Sequence, residues 1–302
     1  MADMSFTHGV IDELLAAGMA KTCCRKALLY GIFYTAKVEE GAKNRIKLEL
    51  RSKKAAELAV EILAKQFSAA AELSEYVRAG REYISLAVSS KALYSFVRAL
   101  SDADDTRTLA ELVGFRCDDC AGCFMRGVFI GCGSMNDPHK SYHLEFSLSD
   151  QVRADKLITA LEAVVPTPKR VARASRIGVY YKHNESIFHL LNYIGGGQSR
   201  FVLTNNFIER DIRNSENRAT NCVTKNIAKA VEASKKQIEA IEKLIESGRM
   251  LSLQSELQYT AELRLENPSA TLFELAYMHE PPISKSGLNR RLNRLIEEAQ
   301  TE

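Results

Sequence analysis

Residues 121–146 read AGCFMRGVFIGCGSMNDPHKSYHLEF: an apolar helix, a glycine-rich break, then a strand. Gly122, Gly127, Gly131 and Gly133 are crowded into it. A glycine inside a helix costs about 1 kcal/mol relative to alanine, so the crowding predicts a helix against which another backbone must come very close. The partner is in the same chain. Residues 24–50, CRKALLYGIFYTAKVEEGAKNRIKLEL, have the same layout. Gly31 aligns with Gly127 at an offset of 96 (127 − 31), and at that offset Leu48-Glu49 falls on Leu144-Glu145. Two copies of a glycine-bearing helix followed by a strand imply a duplicated domain with the two helices packed face to face.

The element order supports the duplication. The first half reads as helix, strand 45–51 with Ile46, Leu48 and Leu50 on one face, helix 53–67 capped by Ser52, two strands 72–78 and 83–88 around Ala79-Gly80-Arg81, and helix 90–100. A short amphipathic helix, 5–17, precedes it, and the polar segment 101–115 connects the halves. The second half repeats the order: strand 141–147, helix 150–164 capped by Ser149, a break at Pro166-Thr167-Pro168, strands 170–174 and 178–182, and helix 185–194 ending at Gly195-Gly196-Gly197. Beyond it the signals are helical. A long amphipathic helix, 220–247, has Val223, Ile227, Ala230, Val231, Ser234, Ile238, Ile241 and Ile245 near one stripe, and Gly248 stops it. Helices 255–266, 271–278 and 284–299 follow, with a tight connection at His279-Glu280-Pro281-Pro282-Ile283.

A chain of 302 residues is ample for two domains and a real core. Its 46% apolar and 26% charged residues are ordinary for a globular protein, and a net charge of +3 is too small to establish a polyanion partner, so local charge must decide. No apolar run approaches the roughly 20 residues of a membrane span. MADMSFTHGVIDEL lacks a basic segment followed by an apolar one, so we expect no secretion signal. Seven cysteines on apolar faces suit reduced thiols and a cytoplasmic protein.

The last three helices carry the most interpretable chemistry. A short helix, a turn and a longer helix within thirty residues is the helix-turn-helix layout. On the third helix Leu288, Leu292, Leu295 and Ile296 form the buried stripe. The opposite face carries Ser286, Arg290, Asn293 and Arg294, with Lys285 and Asn289 beside them, and no acid occurs between Ile283 and Ile296. Lys and Arg suit phosphates or guanine edges, and Asn suits adenine. The bland reading is a three-helix bundle with a solvated basic face, and the segment from Ser252 is slightly acidic overall. A second basic feature, PTPKRVARASRIGVYYK at 166–182, places Lys169, Arg170, Arg173, Arg176 and Lys182 beside Tyr180 and Tyr181. It suits a nucleic-acid backbone or an edge strand protected by charge.

Other constellations read as structural. Cys117-x-x-Cys120-x-x-Cys123, with Cys132 and His139 downstream, resembles a zinc ligand run, yet no second CxxC exists, so buried thiols are the expectation and no metal or cofactor is assigned. His143 and Glu145 share a strand face, with His139 nearby, but no nucleophile accompanies them, and Gly195–Gly197 lacks the Lys-Ser/Thr of a phosphate loop.

The duplicated glycine helix with a strand-rich half after each copy resembles the LAGLIDADG homing-endonuclease fold. The full combination is similar to the WhiA family of bacterial sporulation and cell-division regulators. The residues behind this are Cys23-Cys24-Arg25-Lys26-Ala27, Phe124-Met125-Arg126-Gly127-Val128-Phe129, and the run Asp137-Pro138-His139-Lys140-Ser141-Tyr142-His143-Leu144-Glu145-Phe146. They continue in Arg213-Asn214-Ser215-Glu216-Asn217-Arg218 with Asn221-Cys222, in Ala261–Pro268 (AELRLENP) and in Pro282–Asn289 (PISKSGLN). The resemblance implies an α+β fold: a duplicated αββαββα-type domain over residues 1–198 (halves about 1–115 and 116–198), a helical connector over 199–250 and an all-α helix-turn-helix domain over 251–302. It places Ala36 and Cys132 where the nucleases carry their metal-binding acids. It therefore implies a DNA-binding relic of a nuclease, not an enzyme, acting as a transcription regulator on promoter or operator DNA. The expected DNA contacts gain Thr271 and Ser284 at the heads of the last two helices, and Arg213, Asn214, Asn217 and Arg218. RNA polymerase or other regulators are further expected partners, the nucleoid the expected location, and a membrane is not. The alternatives are a nuclease using other acids, such as Glu39, Glu40 or Asp137, and a protein-interaction scaffold.

Overall fold

The computed structural model describes residues 5–166 and 168–301, so Thr167 of the Pro166–Pro168 break and the first four residues of the N-terminal segment lie outside the described residues. The chain forms two compact units, divided between Arg210 and Asp211.

The first unit opens with α1 (Phe6–Ala16) and then runs twice through one topology. The first pass is α2 (Thr22–Ile32), β1 (Lys37–Val38), β2 (Arg45–Leu50), α3 (Lys53–Phe67), β3 (Ala71–Arg78), β4 (Arg81–Ser89) and α4 (Lys91–Leu100). After the short α5 (Leu109–Val113), the second pass is α6 (Asp119–Cys132), β5 (Gly133–Met135), β6 (Leu144–Leu148), α7 (Gln151–Glu162), β7 (Lys169–Arg173), β8 (Arg176–Tyr181) and α8 (Asn184–Ile194). The two sheets have matching orders, β1-β2-β4-β3 and β5-β6-β8-β7, all antiparallel. The αββαββα pattern is thus complete in both halves. Strands β1 and β5 go beyond the element-by-element reading, and α5 forms where a polar connector is expected.

Local chemistry explains the boundaries. Ser52 accepts a hydrogen bond from the Ala55 amide at the head of α3, and Asp150 does the same for Arg153 at the head of α7. The cap of α7 is therefore Asp150, one residue past the expected Ser149. Thr108 and Glu111 close a capping box that lets a five-residue helix form in the connector. Ala79 (φ 51°) and Gly80 (φ 72°) make the two-residue turn between β3 and β4, with Arg78 facing Arg81.

The centre of the unit is the α2–α6 pair. A Cβ on Gly31 would stand 2.8 Å from the Val128 amide nitrogen and 2.9 Å from Gly127 Cα, and closer still to the Phe124 carbonyl oxygen. A Cβ on Gly127 would meet Ile32 N at 2.9 Å and, closer, the Leu28 carbonyl. The backbones touch because both side chains are absent. Around this contact Phe33, Tyr34, Phe124, Phe129 and Phe146 are fully buried. Tyr34 and Phe124 meet edge to face at 5.9 Å, as do Phe129 and Phe146 at 6.1 Å.

One helix, α9 (Gly197–Glu246), begins in the first unit and ends in the second. It starts far upstream of the expected residue 220. Its first three turns are fixed in the first unit: Glu13 Oε2 accepts from the Ser199 amide at 2.9 Å, and Asn206 Oδ1 accepts from Tyr142 Oη at 3.1 Å. Its last turns bury Ser234, Gln237, Ala240, Ile241 and Leu244 in the second unit. The expected stripe is corrected accordingly: Val223, Ile227, Val231 and Ile245 are exposed.

The second unit continues with α10 (Ser255–Glu266), α11 (Leu272–Tyr277) and α12 (Lys285–Gln300). Ile241, Leu244, Leu257, Ala261, Leu275, Leu288, Leu292 and Leu295 form its core.

Gly31→Ala would force a methyl carbon onto backbone atoms that cannot rotate away. We expect it to lower the unfolding free energy by about 3 kcal/mol, the upper end for overpacking. Gly9→Ala, at an exposed position of α1 with nothing within 4 Å, should instead stabilise by about 0.5–1 kcal/mol. Urea unfolding followed by circular dichroism separates the two; similar effects at both positions would contradict the close-packed pair.

Candidate nucleic-acid interface

The second unit presents α12 as an amphipathic helix on a polar frame. Ser284 caps it by accepting from the Gly287 amide at 3.1 Å, and Thr271 caps α11 in a capping box with Glu274. Both hydroxyls serve the backbone of their own helix. Leu288, Leu292 and Leu295 point inward, while Lys285, Ser286, Asn289, Arg290, Asn293 and Arg294 are exposed. Arg294 is paired with Glu298 at 3.0 Å, one turn on, and the unforeseen Arg291 with Glu256 at 2.6 Å. Lys285 and Arg290 have no carboxylate partner among the described residues. The unpaired positive charge therefore sits on the N-terminal half of α12, beside Asn289 and Asn293.

The loops before α11 and α12 are held from beneath. The Ile283 amide donates to Ala276 O at 3.1 Å. Buried Arg264 donates to Ala270 O at 2.8 Å, and burial pulls its pKa down. His279 is also buried, with its ring 5.2 Å from Tyr259, edge to face.

In the first unit, strand alternation turns Lys47 and Glu49 of β2 away from the helices, with Arg51 just beyond. A cleft below the C-terminal ends of α2 and α6 is lined by Lys37, Lys47, Arg51, Arg78 and Arg176, together with Tyr83, Ser134, Ser147 and one carboxylate, Glu49. The basic residues of the first half were not singled out in the sequence. The signal was present as charged positions alternating with Ile46, Leu48 and Leu50, but acids are interleaved along the chain and only folding separates them. The expected basic hairpin is partly neutralised: Arg173 bonds both Glu145 oxygens, and Arg170 pairs with Asp155 at 2.9 Å. Lys169 and Arg176 are exposed without a carboxylate partner among the described residues. Arg213, Asn214, Asn217 and Arg218 lie exposed on α9.

The two positions expected to match the nuclease acids carry no carboxylate. Ala36 is fully buried, and Cys132 donates to its own helix at Val128 O, 3.3 Å away. Burial pushes the Cys132 thiol up to about 12, so it stays protonated. A guanidinium occupies the neighbourhood of Ala36: Arg153 Nη1 donates to Tyr34 O at 2.8 Å and Ala36 O at 2.9 Å. Glu39 is tied to Arg45 at 2.7 Å, and Asp137 Oδ1 accepts from the His139 amide at 2.9 Å. Among the described residues, no pair of carboxylates lines the cleft.

His143, Glu145 and Arg173 form a hydrogen-bonded network, with His143 Nε2 at 2.9 Å from Glu145 Oε2. Arg173, then His143, holds the Glu145 carboxyl below its usual range against the opposing effect of burial. His139 is elsewhere, on a turn against Asn206 at 2.7 Å. The thiols bring one surprise: Cys117 and Cys120 meet Cys23 and Cys24 at the N-terminal ends of α6 and α2, whereas Cys132 and His139 are not part of that group. Burial pushes the Cys117 thiol up, but hydrogen bonds from Cys120, Cys24 and Cys23 outweigh it and bring it down to about 7.

Architecture and surfaces together define a helix-turn-helix protein that carries a degenerate, duplicated LAGLIDADG-type domain. Family models agree: the WhiA LAGLIDADG-like domain matches residues 121–213 and the WhiA C-terminal HTH domain residues 217–299. The "Probable cell division protein WhiA" of Alkaliphilus metalliredigens is 31% identical over 99% of this chain and 98% of its own length. The protein of the same description from Clostridium novyi is 40% identical over 180 residues, 60% of this chain and 57% of that one. The crystal structure of full-length DUF199/WhiA from Thermotoga maritima shares the fold, with a TM-score of 0.59 and 21% identity over 98% of both chains. The chain belongs to the WhiA family.

Burial, and to a lesser extent Arg291, holds His279 below its ordinary value of 6.5. Its neutral form is favoured in the folded state, so the unfolded chain binds the proton first. The stability this contributes is complete above pH 6.5 and is lost as the pH falls through the folded value. An NMR titration of the His279 ring should give a midpoint below 6.5, and α12 amides should lose protection from exchange on acidification; a midpoint above 6.5 would reverse the sign.

Proposed function

We propose that this chain is a sequence-specific DNA-binding transcription regulator, linked to cell division, chromosome segregation and sporulation, that does not cut DNA. The observation that carries the reading is the exposed face of α12, where Lys285 and Arg290, without a carboxylate partner among the described residues, stand beside Asn289 and Asn293. A helix of this kind placed in the major groove reads base edges with Asn and Arg and grips phosphates with Lys. The relatives' description as cell division proteins supports the process assigned here.

The two units take different roles in this reading. Base readout belongs to the helix-turn-helix domain, residues 251–302. The basic cleft of the duplicated domain, with Lys47, Arg51, Arg78 and Arg176, holds the backbone without regard to sequence. Residues 199–250 connect them, with Arg213 and Arg218 adding phosphate contacts. Strand cleavage in this fold needs divalent metal held by carboxylates; alanine and a protonated cysteine stand at those positions, and Arg153 adds positive charge beside one of them. The work is on the nucleoid, in the cytoplasm, and no described helix is long and apolar enough to cross a membrane.

Binding titrations over a salt series, on operator and random duplexes, test this division. Arg290→Ala should cost about 1–3 kcal/mol on the operator and relax one base position if it reads a base; if it grips phosphate, affinity falls evenly and the salt slope drops by about one. The triple change Lys47→Ala, Arg51→Ala, Arg176→Ala should weaken both duplexes alike. Undiminished binding by both variants would remove the reading, and nicking of plasmid with Mg²⁺ that disappears on Glu49→Gln would replace it with a nuclease.

A further inference from the structure

The N-terminal ends of α2 and α6 carry a feature that DNA binding does not use. Cys23 and Cys24 lie in the first turn of α2; Cys120 lies in the first turn of α6, and Cys117 just precedes it. The four Sγ atoms all lie within 4.8 Å of one another. Cys117 Sγ is 3.6 Å from Cys23 Sγ, 3.5 Å from Cys24 Sγ and 3.6 Å from Cys120 Sγ. The packing of α2 on α6 brings these two parts of the chain together, 93 residues apart at Cys24 and Cys117, but packing alone does not require four thiols to turn their sulfurs to one point.

A single tetrahedral ion gives them one. With Zn–S bonds of about 2.3 Å, the sulfurs at the corners of the tetrahedron are about 3.8 Å apart. The three distances at Cys117 fall just short of that spacing, as expected for thiols drawn together by hydrogen bonds. A polynuclear iron–sulfur cluster would need its thiolates spread around several irons, whereas these converge on the volume of one atom. We propose that Cys23, Cys24, Cys117 and Cys120 bind one structural Zn²⁺.

The surroundings suit the charge such a centre would carry. Four thiolates around Zn²⁺ leave a net charge of −2, and the positive ends of two helix dipoles converge on it. Lys21, paired with Asp119 at 2.8 Å, stands beside it. Cys24 and Cys120 are buried, and Cys23 and Cys117 half-buried, so the site is closed, as structural zinc sites are. Its ligands come from both halves of the duplicated domain and join the start of α2 to the start of α6. Ala36 and Cys132, the positions expected to match the nuclease acids, lie at the other ends of these helices, so this is no remnant of a catalytic metal site.

The test uses the full-length, untagged chain, purified without chelator and without oxygen. Plasma mass spectrometry should find close to one zinc per chain. Cys23→Ser and Cys117→Ser should each lose most of it, while Cys222→Ser, on exposed α9, should keep it. Because a serine variant could fail to fold, the wild type carries an independent readout: exchange of zinc for Co²⁺ should produce thiolate-to-cobalt charge-transfer bands and the visible spectrum of a tetrahedral site. Chelation should lower the melting temperature of the wild type, and Zn²⁺ but not Mg²⁺ should restore it. The proposal is overturned if reduced wild type binds neither Zn²⁺ nor Co²⁺ stoichiometrically, or if iron stands in zinc's place. It also fails if zinc survives joint replacement of Cys23 and Cys117, or if protein alkylated inside cells contains a Cys23–Cys117 or Cys24–Cys117 disulfide.

Discussion

The first unit depends on a contact made by nothing: the missing side chains of Gly31 and Gly127. Their absence lets two helical backbones meet, and the rest of the unit is arranged around that line. Apolar residues flanking the glycines, including Leu28, Phe124 and Val128, close over the seam and are fully buried. Each helix then delivers its chain to a short edge strand, β1 or β5, and each sheet packs its apolar face back on the pair. The faces turned outward gather Lys37, Lys47, Arg51, Arg78 and Arg176 over one cleft. A basic surface that no local run of sequence announces thus follows from the close approach of two helices.

Electrostatics at the far end of the pair are inverted relative to a metal-dependent nuclease. A catalytic metal needs clustered negative charge; here Arg153 supplies a buried positive one. Burial pulls its pKa down, and Asp150 at 3.0 Å and the carbonyls of Tyr34 and Ala36 compensate. Tyr34 returns a bond, donating its hydroxyl to Arg153 O at 2.7 Å. A buried guanidinium whose partners are removed is strongly destabilising, and a carboxylate introduced at position 36 would meet this cation rather than a metal.

Much of this was legible in the sequence because it depends on period and spacing. The 96-residue offset exposed the duplication, glycine crowding exposed the helix pair, and the leucines of α12 separated its buried face from its basic one. What was missed depends on tertiary contact. Two- and three-residue strands such as Lys37–Val38 have no period. The stripe on α9 was extrapolated through Val223 and Ile227, but a helix buries only what finds a partner, and partners begin at Ser234. Arg170 and Arg173 looked free because Asp155 and Glu145 are 15 and 28 residues away in the chain. The thiol pair completing Cys117 and Cys120 was invisible for the same reason, since Cys23-Cys24 lacks a recognisable ligand spacing of its own.

The caps of α3 and α7 hold a last consequence. Ser52 caps through the amide of Ala55, and Asp150 through the amide of Arg153. Equivalent places in the two halves therefore carry alanine and arginine. Two copies of the first half, paired as a dimer, would put alanine in both and leave the carbonyls of Tyr34 and Ala36 without their donor, at about 1–3 kcal/mol for each buried group. The halves are no longer interchangeable here: the donor that Tyr34 O and Ala36 O need comes only from the second half.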